Sequence, residues 1–159
     1  MIVIADTSPI SYLILIGETE ILPRLYGEIL IPHAVLDELT AFDAPQKVFD
    51  WCDSLPDWLV VKDLSFGVNL QFSLPLDKGE SEAIQLATDL RADWILIDEN
   101  AGRTVASEKG FNVIGVIGVL ARASRKGWID PEVVAAKLDA TNFFVSKNLI
   151  EFLKGSKPE

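Results

Sequence analysis

Six acidic residues stand where a folding pattern does not call for charge. Asp6 follows the apolar run Ile2 to Ala5, and Asp98 with Glu99 follows a second such run, Trp94 to Ile97. Glu80 and Glu82 open a segment of helical spacing, and Glu38 lies inside another. Carboxylates crowded without counter-charge repel and raise one another's pKa. Divalent cations remove that cost. Hard oxygen ligands suit Mg²⁺ or Mn²⁺, which keep several waters and bind through a few carboxylates plus substrate phosphates. Two such ions about 4 Å apart clamp a phosphodiester, activating the attacking water and stabilising the leaving oxygen. This chemistry needs neither His nor Cys, and the chain has one of each, His33 and Cys52. Thr7 and Ser8, next to Asp6, carry hydroxyls that can bond a metal-bound water or a phosphate, or simply cap a helix. Taken singly, each acid also has a plain structural use: a helix cap for Asp6 or Asp98, a solvated helix face for Glu38, a first-turn acid for Glu80 and Glu82. Those uses do not explain why two strands and the helix between them deliver acids to one edge.

That convergence depends on the elements around the acids. Ile2 to Ala5, Glu28 to Ile31, Leu59 to Lys62, Trp94 to Ile97 and Phe111 to Ile114 are short apolar runs bounded by turn signals, and they read as buried strands. Helical spacing marks Ile10 to Leu15, Glu18 to Tyr26, His33 to Leu39, Gln46 to Cys52, the stretch around Ala83 to Leu90, Ala101 to Lys109, and Gly115 to Arg125. Ser8 reads as the N-cap of the first helix, with Pro9 at its first position. Asp63 to Pro75 shows no clear period and reads as a loop with an extended middle. Asp130-Pro131 caps a further helix, Ser146 caps a last one running to Leu153, and Gly155 to Glu159 reads as a frayed tail. Strands alternating with helices, each strand apolar on both faces, predict an α/β fold with a central parallel sheet of four to five strands covered by helices on both sides. In such a sheet Asp6 and Asp98 lie at the carboxyl edge, where ligands bind. The helix bearing Glu80 and Glu82 runs back from that edge, so its N-terminus sits there too. Glu38 is about a turn into its own crossover helix and can lean towards the same pocket.

The length suits a single domain over 1–159, with a core of about 1–128 and C-terminal helices in 129–154. No apolar run approaches the roughly 20 residues of a membrane span. A strand pattern begins at once, with no basic segment before it, so no signal peptide is expected. A lone cysteine excludes an internal disulfide and fits a reducing compartment. Together these predict a cytoplasmic protein. The net charge of −10 argues against a non-specific nucleic-acid binder. Residues 100–128 are the exception, with Glu108 set against Arg103, Lys109, Arg122, Arg125 and Lys126. They form either a basic rim beside an acidic pocket or the decoration of a solvated helix end.

Four segments in order carry a resemblance: I-V-I-A-D-T-S-P-I-S, I-L-I-P-H-A-V-L-D-E-L, L-D-K-G-E-S-E-A-I-Q-L-A, and W-I-L-I-D-E-N-A-G-R-T-V-A, followed by V-I-G-V-I-G-V-L. Together they resemble the PIN-domain family, in its compact branch of toxin-type predicted nucleases, over about residues 1–128. The resemblance implies a Rossmann-like α/β sandwich and a metal-dependent endoribonuclease, frequently the toxin of a toxin–antitoxin pair. It places the family's acids on Asp6, Glu38, the Glu80/Glu82 pair with Glu80 preferred, and Asp98. A further acid falls in the region of Glu99 and Asn100, the family's hydroxyl on Thr7 and Ser8, and a phosphate contact on Arg103. The implied cofactor is Mg²⁺ or Mn²⁺. The implied partners are an RNA substrate and a cognate antitoxin, with a homodimer as the default assembly.

Two other readings compete. One is a non-catalytic module of the same fold that binds a partner. The other is a phospho-acceptor receiver domain, which needs an Asp at the end of a middle strand and a Lys at the end of a late one. Here the third strand ends Val61-Lys62-Asp63, and the last ends at Ile114 without a Lys.

Overall fold

The computed structural model describes residues 1–143, 147–156 and 158. In chain order the elements are β1 (Val3–Ala5), α1 (Thr7–Ile16), α2 (Ile21–Tyr26), β2 (Ile29–Pro32), α3 (His33–Leu39), α4 (Gln46–Trp51), β3 (Leu59–Lys62), α5 (Lys78–Leu90), β4 (Trp94–Leu96), α6 (Asn100–Glu108), β5 (Asn112–Ile114), α7 (Val116–Arg125), α8 (Pro131–Asp139) and α9 (Lys147–Lys154). The five strands form one sheet in the order β3-β2-β1-β4-β5, all parallel. Ile4 is paired with Leu30 on one side and Ile95 on the other.

The short central strands persist because both of their faces are buried. Val3, Ala5, Ile29, Ile31, Leu96 and Ile114 enter one apolar layer with residues of α1, α2, α7, α8 and α9. Ile4, Leu30, Ile95 and Ile97 enter the other with Ala83, Ile84, Leu86 and Ala87 of α5 and Val105 and Ala106 of α6. Each fully buried Ile or Leu contributes about 1.5–3 kcal/mol. The chain lays down β1, β2 and β3 in one direction and then returns to place β4 on the far side of β1. The reversal puts a topological switch point between β1 and β4, where an open parallel sheet leaves its crevice.

Several local expectations change. The N-cap of α1 is Asp6, not Ser8, and its side chain makes no capping bond. Ser8 and Pro9 lie inside the first turn, where the main-chain N–H groups have no intrahelical partner and a proline loses nothing. The extended middle of 63–77 is pinned to α5 by the buried Gln85, whose Oε1 accepts from the N–H of Asn69 (3.0 Å) and Leu70 (3.1 Å). Leu64, Leu70, Phe72 and Leu76 then pack on the α5–α6 layer. Gly155 and Ser156 are not frayed. Ser156 is buried, and its carbonyl accepts from the Ser124 hydroxyl of α7. The Ser146 cap lies outside the described residues.

Candidate active site

Asp6 is the residue at which β1 turns into α1. Its N–H donates to the Leu96 carbonyl at 2.8 Å, which ties it to the end of β4 beside the switch point. The residue is 3 % exposed, and its Oδ1 is buried with no hydrogen-bond partner. Burial lifts its carboxyl, the Thr7 N–H offsets part of this, and the charges of Asp77, Glu38 and Glu80 add to it. Its pKa is thereby pushed up to about 8 from an ordinary 3.8. Three carboxylates from two other elements, α3 and the start of α5, therefore act on one buried oxygen pair.

Glu38 arrives from α3 and is held at both oxygens. Oε2 accepts from the Thr7 hydroxyl, and Oε1 accepts from the Gly79 N–H at 3.1 Å. A β-carbon on Gly79 would stand 2.5 Å from Glu38 Oε1, so only glycine lets the start of α5 approach this closely. Glu80, one residue on, is buried. It closes a capping box with Asp77: the Glu80 N–H donates to Asp77 Oδ1 at 2.8 Å, and the Asp77 N–H donates to Glu80 Oε2 at 3.3 Å. Burial and then the charge of Asp77 push the Glu80 carboxyl up, with smaller contributions from Glu99 and Glu38. Glu82 stands elsewhere. Two positions along a helix is about 200° around it, and Glu82 Oε1 accepts instead from the Ala34 N–H at 3.4 Å. Of the Glu80/Glu82 pair, the fold brings Glu80 to Asp6.

Asp98 follows β4 after one residue, Ile97. Its Oδ1 accepts from the Val116 N–H at the start of α7 (2.9 Å), while its Oδ2 is buried without a partner. Burial lifts its pKa to about 6. The Val116 N–H and the Arg103 guanidinium work against that rise, and Glu99 works with it. A β-carbon on Gly115 would lie 2.5 Å from Asp98 Oδ1 and 3.0 Å from Arg103 Nη1. Arg103 also donates from Nη1 to the Ile97 carbonyl at 3.0 Å, which fixes its head beside Asp98. Glu99, exposed at the N-cap of α6, acts electrostatically on both Glu80 and Asp98 and so links the two groups of acids. Ser8, Asp98, Glu99, Asn100 and Arg103 line a cleft of about 780 Å³ that continues onto α7 and α9.

Whether these residues fit a divalent cation turns on the orphaned oxygens. Among the described residues, no three His, Cys, Asp or Glu side chains close around one point as a complete protein cage would. Mg²⁺ does not require one, since it is commonly held by one or two carboxylates with water completing the shell. Asp6 Oδ1 and Asp98 Oδ2 are two such oxygens. Each is buried without a partner and is relieved by a positive charge, so the donor set fits. Asp77 is a member of the acidic group that the sequence reading passed over. Its signal was the D-x-x-E spacing of Asp77 and Glu80, a capping box. The basic segment does not rim this pocket as a whole. Arg122 lies over the Trp94 ring (4.4 Å) at the start of β4, and Lys126 lies over Trp128 (5.5 Å). Both are at the opposite edge of the sheet. The Asp63 of the receiver-domain reading follows the edge strand β3 and pairs with His33 at 2.7 Å, far from any acidic pocket at the switch point.

A family model described as a PIN domain, DUF3368, matches residues 2–156. No curated protein sequence matches the chain. Among solved structures, the chain is similar to a PilT N-terminus domain protein, SSO1118, from the hyperthermophilic archaeon Sulfolobus solfataricus P2. The TM-score is 0.51 at 18% identity, covering 91% of this chain and 100% of the other. At that identity the likeness concerns the fold. No helix among the described residues is long and apolar enough to cross a membrane.

Proposed function

The chain belongs to the PIN-domain family, and from that premise we propose that it is a metal-dependent endoribonuclease. One observation carries the proposal: a buried Asp6 carboxyl at the switch point, one oxygen of it without a partner, with Asp77, Glu38 and Glu80 all acting on it. Uncompensated, that arrangement is costly, and bound cationic charge is what it suits. Asp6, Glu80 and Asp98 would hold Mg²⁺ or Mn²⁺, with Glu99 at the open side. When bound, the cation lowers the pKa of a water and stabilises the oxygen that leaves.

The chain's own groups do the positioning. Thr7 and Gly79 fix Glu38, which leaves Glu38 as an acceptor at the rim of the Asp6 group. Arg103, locked by Ile97 and crowded against Gly115, presents a guanidinium to a phosphate entering the cleft. Ser8 and Asn100 line the same cleft and offer hydrogen bonds to the sugar-phosphate chain. The family resemblance supports products with a 3′-hydroxyl and a 5′-phosphate. It also supports a cytoplasmic role as the toxin of a toxin–antitoxin pair, with the antitoxin as cognate partner. The expected outcome is that purified protein cuts single-stranded RNA in Mg²⁺ or Mn²⁺ and stops in EDTA. Asp6→Asn cutting as fast as wild type refutes the assignment. Growth arrest on expression, relieved by a small protein encoded next to it, tests the toxin role separately.

A further inference from the structure

The cleft beside Asp98 is larger than a phosphate needs, and its far wall is not acidic. Tyr12 of α1, Asn142 and Phe143 after α8, and Phe152 of α9 line it opposite Asp98 and Arg103. The Tyr12 and Phe143 rings meet edge to face, 4.6 Å apart at 70°. The Tyr12 hydroxyl donates to Asn142 Oδ1 at 3.1 Å, so the amide is oriented and its N–H₂ is left to donate. Phe152 is 50% exposed and lines the cleft, and the Arg125 guanidinium lies 5.4 Å from its ring centre. Arg103 lines the cleft beside Asp98, while Arg125 meets it only through the Phe152 ring.

We propose that this wall is a nucleobase subsite. It would take an unpaired base of the RNA next to the cut, stacked on the Phe152 ring within the Tyr12–Phe143 wall, with its edge hydrogen-bonded to Asn142. The inference rests on the nuclease reading for its substrate. Three features favour RNA as the occupant: aromatic faces accept any base, the Arg103 guanidinium beside Asp98 suits a phosphate, and the volume lies within the 300–1,000 Å³ of small-ligand sites. The cleft also runs without a break into Asp98.

The test uses Asp6→Asn protein in Mg²⁺, which separates binding from cutting. Two fluorescein-labelled probes are compared by anisotropy: hexauridylate, and a hexamer of abasic ribose-phosphate with equal charge. The proposal expects hexauridylate to bind at least fivefold more tightly, and adding Phe152→Ala to abolish that preference while leaving the abasic affinity unchanged. Phe152 is half exposed, so its truncation is compatible with folding, and circular dichroism checks this. Equal affinity for the two probes, no binding of either (as for a cleft that takes a peptide), or an equal loss for both on Phe152→Ala overturns the subsite. The nuclease reading fails on different evidence: wild-type protein that prefers hexauridylate but never cuts it keeps the subsite and loses the activity.

Discussion

Replacing Asp6 by Asn separates the cost of the acidic pocket from its use. In the metal-free protein Asp6 has a pKa of about 8 against an ordinary 3.8, chiefly because it is buried. Between those values the folded chain holds a proton that the unfolded chain has lost. The sign follows: the contribution of Asp6 is fully present below pH 4 and is lost as pH rises, by about 1.4 kcal/mol per pH unit until the folded pKa is passed. Over that range the loss from Asp6 alone is on the order of 5 kcal/mol, an upper figure because water and relaxation soften buried charges. Asn is nearly the same shape and does not ionise. Metal-free Asp6→Asn should therefore keep most of that stability at pH 8, while near pH 4 it should differ little from wild type. Urea unfolding in EDTA at each pH unit from 4 to 9 measures both slopes. Saturating Mg²⁺ at 100 times its Kd should return about 2.7 kcal/mol to wild type at pH 8 and much less to the variant. Parallel pH slopes for the two proteins would refute the claim that Asp6 carries a buried, uncompensated charge.

The neighbouring residues give sharper contrasts. Glu80→Gln should lower RNA cleavage at least 100-fold and Glu82→Gln less than threefold, since only Glu80 sits with Asp77 and Glu38; single-turnover rates decide it. Gly115→Ala puts a β-carbon 2.5 Å from Asp98 Oδ1, so it should cost about 1–3 kcal/mol of stability and most of the activity, read by thermal melting beside an RNA-cleavage assay. Arg122→Ala should leave RNA affinity within twofold because it stacks on Trp94 at the opposite sheet edge, whereas Arg103→Ala should weaken it about tenfold; anisotropy titrations compare them.

Much of the fold is written in local pattern. Ile2 to Ala5, Ile29 to Ile31 and Trp94 to Ile97 are short apolar runs bounded by turn signals, which favours strands buried on both faces, and such strands suit a parallel sheet. Strand order is a different matter. That β4 lies against β1 rather than β3 is set by which helices fill the two layers. The reading of 63–75 missed a period that is present: Leu64, Phe66, Val68, Leu70, Phe72 and Leu74 alternate with polar residues, glycine and proline, and Leu76 continues it. Its extended backbone joins no sheet. It lies across α5 through Gln85, and a side chain reaching for a main chain leaves little trace in sequence.

The site was legible to the same degree, and for the same reason. Asp6 and Asp98 could be placed because strand ends can be placed. The distinction between Glu80 and Glu82 required the rotation of α5, which Asp77 sets by capping it. That makes Asp77 more than a cap. Its side chain accepts from Glu80 and fixes the helix start, while its charge burdens both Glu80 and Asp6. A neutral asparagine in its place (Asp77→Asn) would still cap, so stability alone would favour the amide in this pocket. A third carboxylate beside two buried ones is a cost that bound cationic charge would offset, which is what the proposed metal-dependent function expects. The internal bonds of Glu38 to Thr7 and Gly79 then act as a brace, holding the acids at a spacing they would otherwise relax by repulsion.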